Sequence, residues 1–254
     1  MITLNENPLI SVITPTFNSA PYIQSTIQSV KNQTYTNWEM VVVDDCSEDN
    51  TREILEQEAA ADPRIKLHWL KENSGAAVAR NTALREARAD FIAFLDADDQ
   101  WLPEKLAKQL KYMQDNDLAF TYTQYSIMDQ NGQDTGKVVE IPQSIDYHGL
   151  LKNTIIGFLT VMVNREKTGE IQMPNIRTRQ DFALELAILK RGITAYGLQE
   201  TLSRYRVVKG SISSNKIKTA KRNWQVYRKI EKLGLAYSMW CFVNYAYHAV
   251  KKRI

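Results

Sequence analysis

Two runs of apolar residues in this 254-residue chain each end abruptly in a cluster of carboxylates. Trp38-Glu-Met-Val-Val-Val43 leads into Asp44-Asp45, and Phe91-Ile-Ala-Phe-Leu95 leads into Asp96-Ala97-Asp98-Asp99. A nearly unbroken apolar strand is one covered on both faces, as in a parallel sheet. The surrounding pattern agrees. Ile10–Thr14 is β-branched and bounded by Pro15, so it reads as a buried strand. Pro21 then opens a helix whose Ile23, Ile27 and Val30 form one apolar stripe. A helix through Ile54 and Leu55, a strand at Ile65–Leu70 and an Ala-rich helix at Ala76–Arg88 follow in alternation. Strands alternating with helices predict an α/β fold, an open and mostly parallel sheet with helices on both faces and right-handed crossovers. Ligands of such sheets bind past the carboxyl ends of the strands. Both acidic clusters therefore point at one crevice.

Beyond this unit, Pro103–Asn116 reads as a helix with Leu106, Leu110 and Met113 on one face. Leu118–Met128 alternates like a strand and ends in a polar turn at Asp129–Gly132. Residues 138–168 read as short strands and a loop. Asp181–Arg191 has Phe182, Leu186 and Leu189 at helical spacing and closes at Gly192.

Charge divides the chain in two. Residues 209–254 carry eleven Lys and Arg against the single acid Glu231, a net +10, which leaves the preceding residues at −7 out of a total of +3. We therefore divide the chain into a catalytic-type domain, 1–213, and a basic, aromatic helical tail, 214–254. Cys46 and Cys241 are too few for a disulfide framework or a thiolate zinc site, so a reducing compartment is expected. The first ten residues lack the pattern of a signal peptide, and no stretch reaches the roughly 20 apolar residues of a membrane span. There is no G-x-G-x-x-G after the first strand and no G-x-x-x-x-G-K-[ST], which disfavours nicotinamide enzymes and P-loop NTPases.

Five carboxylates crowded at strand ends raise one another's pKa. A divalent cation removes that cost, and Mg²⁺ or Mn²⁺ prefers a few carboxylates completed by substrate phosphates. Asp96-x-Asp98 is thus a candidate metal and diphosphate site, while Asp98 and Asp99 are equally suited to capping the next helix. Asp44 and Asp45 have the same two readings: one caps a helix, or a carboxylate receives the N–H of a nucleobase or the hydroxyl of a ribose.

The motifs SVITPTFN (Ser11–Asn18), NQTYTNWEMVVVDDCSED (Asn32–Asp49), ENSGAAVARN (Glu72–Asn81) and FIAFLDADDQWLPEKL (Phe91–Leu106) occur in order, with RQDFALELAILKRG (Arg179–Gly192) as a weaker match. Over roughly residues 8–213 the chain resembles a family 2 glycosyltransferase of the GT-A fold, the group that assembles bacterial surface polysaccharides. The resemblance implies a nucleotide-sugar donor, most often a UDP-sugar, and Mn²⁺ or Mg²⁺. It also implies a hydroxyl acceptor on a glycan or lipid-linked glycan. It places Pro15, Thr16 and Phe17 in the first loop around the base, Asp45 at the uracil edge and Asp44 supporting that loop. It sets Arg80 near the nucleotide, Asn81 in a structural role, Asp96 facing the ribose and Asp98 on the metal. Asp181 becomes the general base of an inverting single displacement; it also suits the N-cap of its helix. Thr154–Val163 is expected to be a strand on the acceptor side, and Trp101 either stacks on a sugar or packs. His68, His148 and His248 lie outside the motifs and read as incidental.

Two departures stand out. Gln180 replaces a common Glu beside Asp181, and Val208 replaces a common His in Tyr205–Ser213. Either Arg206, Lys209 or Ser211 stabilises the diphosphate instead, or metal affinity is weak or activity low. These losses are the support for an alternative, a non-catalytic nucleotide-sugar-binding subunit of an assembly complex. A nucleotidyltransferase fits poorly, since Ser11–Asn18 has neither glycine nor base.

In the tail, bases recur from Lys216 to Lys232, followed by an apolar run from Gly234 to Val250 that is rich in Trp and Tyr and then by Lys251-Lys-Arg253. That composition suits an interfacial anchor. The expected placement is cytoplasmic, peripheral at the inner face of the plasma membrane. Alternatively the second helix packs on the catalytic domain or on a second subunit of a homo-oligomer. Nucleic-acid binding is not expected, because no base-reading module accompanies the charge.

Overall fold

The computed structural model describes residues 7–176, 178–208 and 216–251. In chain order the first half comprises β1 (Ile10–Thr16), α1 (Ile23–Lys31), β2 (Trp38–Asp44), α2 (Thr51–Ala61), β3 (Ile65–Trp69), α3 (Ala76–Glu86), β4 (Phe91–Phe94), β5 (Gln100–Trp101) and α4 (Lys105–Asp115). The second comprises β6 (Phe120–Met128), β7 (Asp134–Val139), β8 (Ser144–Ile145), α5 (Tyr147–Lys152), a 3₁₀ turn (Phe158–Thr160), β9 (Met162–Asn164), α6 (Arg165–Thr168), α7 (Gln180–Leu189) and β10 (Ala195–Arg206). The tail forms α8 (Lys216–Gln225), a π-helical turn (Val226–Ile230) and α9 (Leu235–Lys251).

Ten strands form one sheet in the order β3-β2-β1-β4-β9-β6-β10-β5, with β7 on β6 and β8 on β10. The pairs β3-β2-β1-β4 are all parallel, as the apolar runs predict. The short β9 is antiparallel to both β4 and β6 and joins that block to a second parallel pair, β6 and β10. The sheet is therefore more mixed than the sequence reading implied, because β5, β7, β8 and β9 are short segments laid antiparallel on longer neighbours.

Both faces are covered, and side-chain parity explains why β2 shows no alternation. Val41 and Val43 join the core formed with α3, α5 and α7, while Met40 and Val42 join the core formed with α1 and α4. Glu39 shares the first face, yet its carboxylate is buried. It accepts hydrogen bonds from Ser11 Oγ (2.6 Å), Arg88 N (2.8 Å) and Arg88 Nε (2.8 Å). Burial pushes this carboxyl up, but the three bonds and the Arg88 charge outweigh it and hold it below its ordinary value.

Residues 138–168 depart most from expectation. The anticipated strand over Thr154–Val163 is confined to Met162–Asn164 at its end, and the preceding chain is irregular apart from the 3₁₀ turn. Gly157 shows the reason. A Cβ there would lie 2.7 Å from Tyr125 Cε1, so the chain passes too close to β6 for a regular strand with side chains.

The tail packs on the body. Glu231, its one acid, is buried and accepts Tyr147 Oη of α5 (2.6 Å) and Lys190 Nζ (3.0 Å). Tyr227 Oη donates to Leu151 O (2.7 Å).

Candidate active site

The loops following β1, β2 and β4 all leave the same end of the sheet, and short polar contacts sew them together. Asn18 N donates to Ser47 Oγ (2.8 Å), and Glu48 N donates to Asn18 Oδ1 (2.8 Å). Asp44 accepts Ser47 N (2.9 Å) and so closes the turn after β2. Asp45 is also buried, and its two oxygens accept Ser74 N (2.7 Å) and Gly75 N (2.8 Å) at the start of α3. Both carboxylates thus brace backbone, and neither lines the cleft described next. Pro15 and Thr16 belong to β1, Thr16 Oγ1 is buried without a partner among the described residues, and Phe17 is exposed.

A cleft of about 620 Å³ opens beside these loops. Asp96 and Asp98 line it from the end of β4, Arg80 from α3, and Gln180 and Asp181 from α7. Arg80 bridges the two sides: one nitrogen pairs with Asp96, and the other donates to Gln180 Oε1 (3.2 Å). Gln180 Nε2 in turn donates to Ile176 O (2.7 Å). The glutamine that departs from the expected Glu therefore keeps a hydrogen bond to the arginine and forgoes only the charge. Asn81 exchanges bonds with Met173, its Nδ2 donating to the carbonyl (3.0 Å) and its Oδ1 accepting the amide (2.7 Å), which is a structural role.

The Asp96–Asp99 loop is clamped from two directions. Thr26 Oγ1 of α1 donates to Ala97 O (2.9 Å) and Asp99 O (2.8 Å). Arg206, at the end of β10, donates through its backbone N to Asp99 Oδ1 (2.8 Å) and through Nε to Asp98 O (2.7 Å). Its Nη1 bonds Gln130 O (3.2 Å). Arg206 is buried, so it serves the loop rather than standing free for a diphosphate. Lys209 and Ser211, the other substitutes considered for the absent His, lie outside the described residues. Burial, then the charge of Asp96, pushes the Asp98 carboxyl up to about 6, against the pull of Arg206 and Arg80. Trp101 is buried, donates Nε1 to Leu159 O (2.8 Å) and has Lys105 Nζ over its ring at 3.9 Å, so packing accounts for it. None of the three histidines lines the cleft, although His148 bonds Tyr237 Oη at 2.7 Å.

Several lining residues escaped the sequence reading. Tyr125 and Tyr205 form an edge-on pair 6.1 Å apart on one wall. Thr219 and Arg222 reach the wall from α8, within the segment read as a tail. Arg179 holds a left-handed backbone (φ 64°) at the start of α7, with Nε buried and unbonded among the described residues. The position of Arg179 just before Gln180-Asp181 and the basic run were visible in the sequence, but only the fold places them here.

Glu185, one turn after Asp181, was missed because an acid in a helix reads as surface. It is 3% exposed and accepts no hydrogen bond among the described residues. Burial and then the Asp181 charge push its carboxyl well above the ordinary range, with Arg179 opposing. The unfolded chain releases this proton near pH 4.3, whereas the folded chain keeps it. Wild-type stability therefore falls as pH rises above the unfolded value, by up to about 1.4 kcal/mol per pH unit, until the raised folded value is passed. Glu185→Gln escapes that loss. Its melting temperature should gain on wild type from acidic toward neutral pH, and a constant difference would show the carboxyl to be ionised in the fold.

Residues 11–168 match the family described as Glycosyl transferase family 2. The chain belongs to that family. This family 2 glycosyltransferase is 55% identical over 250 residues, 98% of its length and 99% of the other's, to a putative teichuronic acid biosynthesis glycosyltransferase, TuaG, of Bacillus subtilis. It is 43% identical over 96% of its length and 94% of the relative's to WfgD of Escherichia coli, a UDP-Glc:α-D-GlcNAc-diphosphoundecaprenol β-1,3-glucosyltransferase. Its fold matches the mannosyltransferase PcManGT from Pyrobaculum calidifontis, solved with GDP-Man and Mn²⁺. There the TM-score is 0.71 at 23% identity, covering 97% of this glycosyltransferase and 75% of that chain. The GT-A expectation is thereby met.

Proposed function

We propose that this glycosyltransferase moves a sugar from a UDP-sugar to a hydroxyl of a lipid-linked glycan, with inversion, during synthesis of a bacterial surface polysaccharide. The observation that carries the reading is the presence in one cleft of Asp96 and Asp98 from β4 and Asp181 from α7. The names of the two relatives support the choice of donor, acceptor and pathway class.

A divalent cation, Mn²⁺ or Mg²⁺, suits the residues present. Asp98 is a carboxylate whose ionisation is opposed by burial and by Asp96, and no side chain among the described residues hydrogen-bonds to it. No group of three or more His, Cys, Asp or Glu is arranged among the described residues to cage a metal unaided. That donor set fits an ion held by Asp98, with Asp96 beside it, and completed by diphosphate oxygens. Bound there, the ion would stabilise negative charge on the departing nucleoside diphosphate.

The chain's own groups do the rest. Arg80, fixed by Asp96 and Gln180, sets a positive charge against the donor phosphates. Asp181 accepts the proton of the acceptor hydroxyl as its oxygen attacks the anomeric carbon opposite the leaving diphosphate. One bond to the sugar forms as the other breaks, without a covalent enzyme intermediate, so the configuration inverts. Tyr125 and Tyr205 offer ring surface to the sugars in the same cleft.

Thermal unfolding with UDP-glucose, UDP-N-acetylglucosamine or GDP-mannose, with Mn²⁺ or with EDTA, tests the donor. A UDP-sugar at 100 times its Kd should stabilise the fold by about 2.7 kcal/mol, and EDTA should reduce that gain. A larger shift with GDP-mannose than with any UDP-sugar would overturn the uridine assignment.

A further inference from the structure

From Leu235 to Ala249 the outward face of α9 has no charge on it. Leu235, Met239, Trp240, Val243 and Tyr247 fall along one side of the helix and are 54–63% exposed. They make up half of the ten large hydrophobic residues that stand exposed among the described residues, and Ile230 just before the helix is another. Between Lys232 and Lys251 the sequence contains no charged residue. The opposite face of the helix is already occupied. Ser238 and Cys241 are buried, Tyr237 bonds His148 of α5, and Phe242 packs edge-on against Trp224 at 5.7 Å. Packing on the body thus fixes the helix and turns a continuous apolar stripe toward solvent. A stripe of this kind marks a docking surface.

Charge says which partner fits. Arg228, Lys229 and Lys232 are exposed just before α9, in a segment of net +10 from residue 209 onward. No helix among the described residues is long and apolar enough to cross a bilayer, so an apolar helix here would lie in the plane of a surface. Trp and Tyr within the stripe suit headgroup depth, and neighbouring bases suit anionic phosphates. We propose that the Met239–Trp240–Val243–Tyr247 face of α9 seats in the interfacial layer of an anionic bilayer, with Arg228, Lys229 and Lys232 at the headgroups. The two alternatives for the tail then cease to compete: one face of α9 packs on the protein and the other enters the lipid. Because α8 gives Thr219 and Arg222 to the cleft wall, such docking holds the cleft beside the membrane.

Deleting the tail would also remove part of the cleft, so the test uses point variants of the full chain. Co-sedimentation is measured with phosphatidylcholine vesicles, with and without phosphatidylglycerol, and light scattering gives the oligomeric state. Neither donor nor acceptor is added, so failure of the proposed transfer reaction and failure of this inference are separate results. Wild type should bind the anionic vesicles and largely spare the neutral ones. Trp240→Ser with Val243→Asn should weaken binding about tenfold or more through lost apolar burial. Lys229→Ala and Lys232→Ala should each weaken it about fivefold. All four positions are exposed, so the variants should melt like wild type, and Tyr247→Ser gives an independent check on the same face. Wild type that ignores anionic vesicles, or binds both kinds equally, overturns the proposal. So does a Trp240→Ser/Val243→Asn protein that binds as wild type does. A wild-type dimer made monomeric by those substitutions with vesicle binding unchanged would assign the face to a second copy of the chain instead.

Discussion

Asp181→Asn should lower sugar transfer by about 10²–10⁴-fold while leaving donor affinity nearly unchanged. Asp181 lines the cleft from the first turn of α7, and its amide analogue has the same shape. The neighbouring Arg80–Gln180–Ile176 connection does not pass through it, so the cleft wall should stay in place. What the amide cannot do is take a proton from an attacking hydroxyl. An acid in the first turn also stabilises a helix by about 0.3–1 kcal/mol, so a small drop in melting temperature is expected from the helix alone. Titration calorimetry with UDP and a transfer assay on a lipid-linked acceptor separate the two roles. If affinity and turnover fall together, Asp181 is a structural residue of α7 and the base lies elsewhere.

Asp98→Asn should remove Mn²⁺-dependent hydrolysis and transfer of the donor sugar, a loss of about 10²–10³-fold or more. Its effect on the ligand-free fold should have the opposite sign. Asp98 is held in a site that penalises its charge, beside Asp96 and above a buried Asp99 whose own carboxyl is pushed well up by burial and then by both neighbours. Removing a charge from that cluster relieves repulsion, while the Arg206 contact to the backbone of residue 98 survives. The variant should melt at or above wild type without metal and gain little when metal and donor are added. This is the usual exchange of stability for function at an active site. Wild-type protein that binds a UDP-sugar with Mn²⁺ yet neither hydrolyses nor transfers it would favour the non-catalytic subunit, for which Gln180 and Val208 are the argument. A variant that keeps full metal-dependent turnover would remove Asp98 from the site altogether.

What could be read from the sequence followed from how locally each signal was encoded. The strands β1, β2 and β4 announce themselves as apolar runs because both of their faces are covered. Their acids are visible because a turn must follow the strand at once. Helices α1 and α4 show apolar stripes because each buries one face and leaves the other in solvent. By contrast, α7 is buried at eight of its ten positions, so no polar face marks its orientation and Glu185 passed for a surface residue. The twelve-residue β10 went unnoticed because its polar half faces a partly open surface and its pairing with β6 is irregular. Asp45 was expected at the uracil edge, and the structure adds that its oxygens brace Ser74 and Gly75, 29 and 30 residues later. Arg206 was read as a candidate for the diphosphate, whereas it serves a loop 107 residues earlier. Contacts at such separations have no signature in spacing. They exist only once the sheet has brought its strands together.

That long-range clamp has a consequence for how the enzyme is made. The sheet order β3-β2-β1-β4 uses only the first 94 residues and can assemble while the ribosome is still at work. The loop bearing Asp96 and Asp98, held early by Thr26, gains its second brace only when residue 206 arrives, and the cleft its last wall only with Thr219 and Arg222. A nascent or prematurely terminated chain can therefore own a folded half-sheet and every acid of the proposed donor site without owning the cleft. Competence is acquired only after α8 and α9 are made, when the segment that closes the cleft also delivers the helix we place at the membrane.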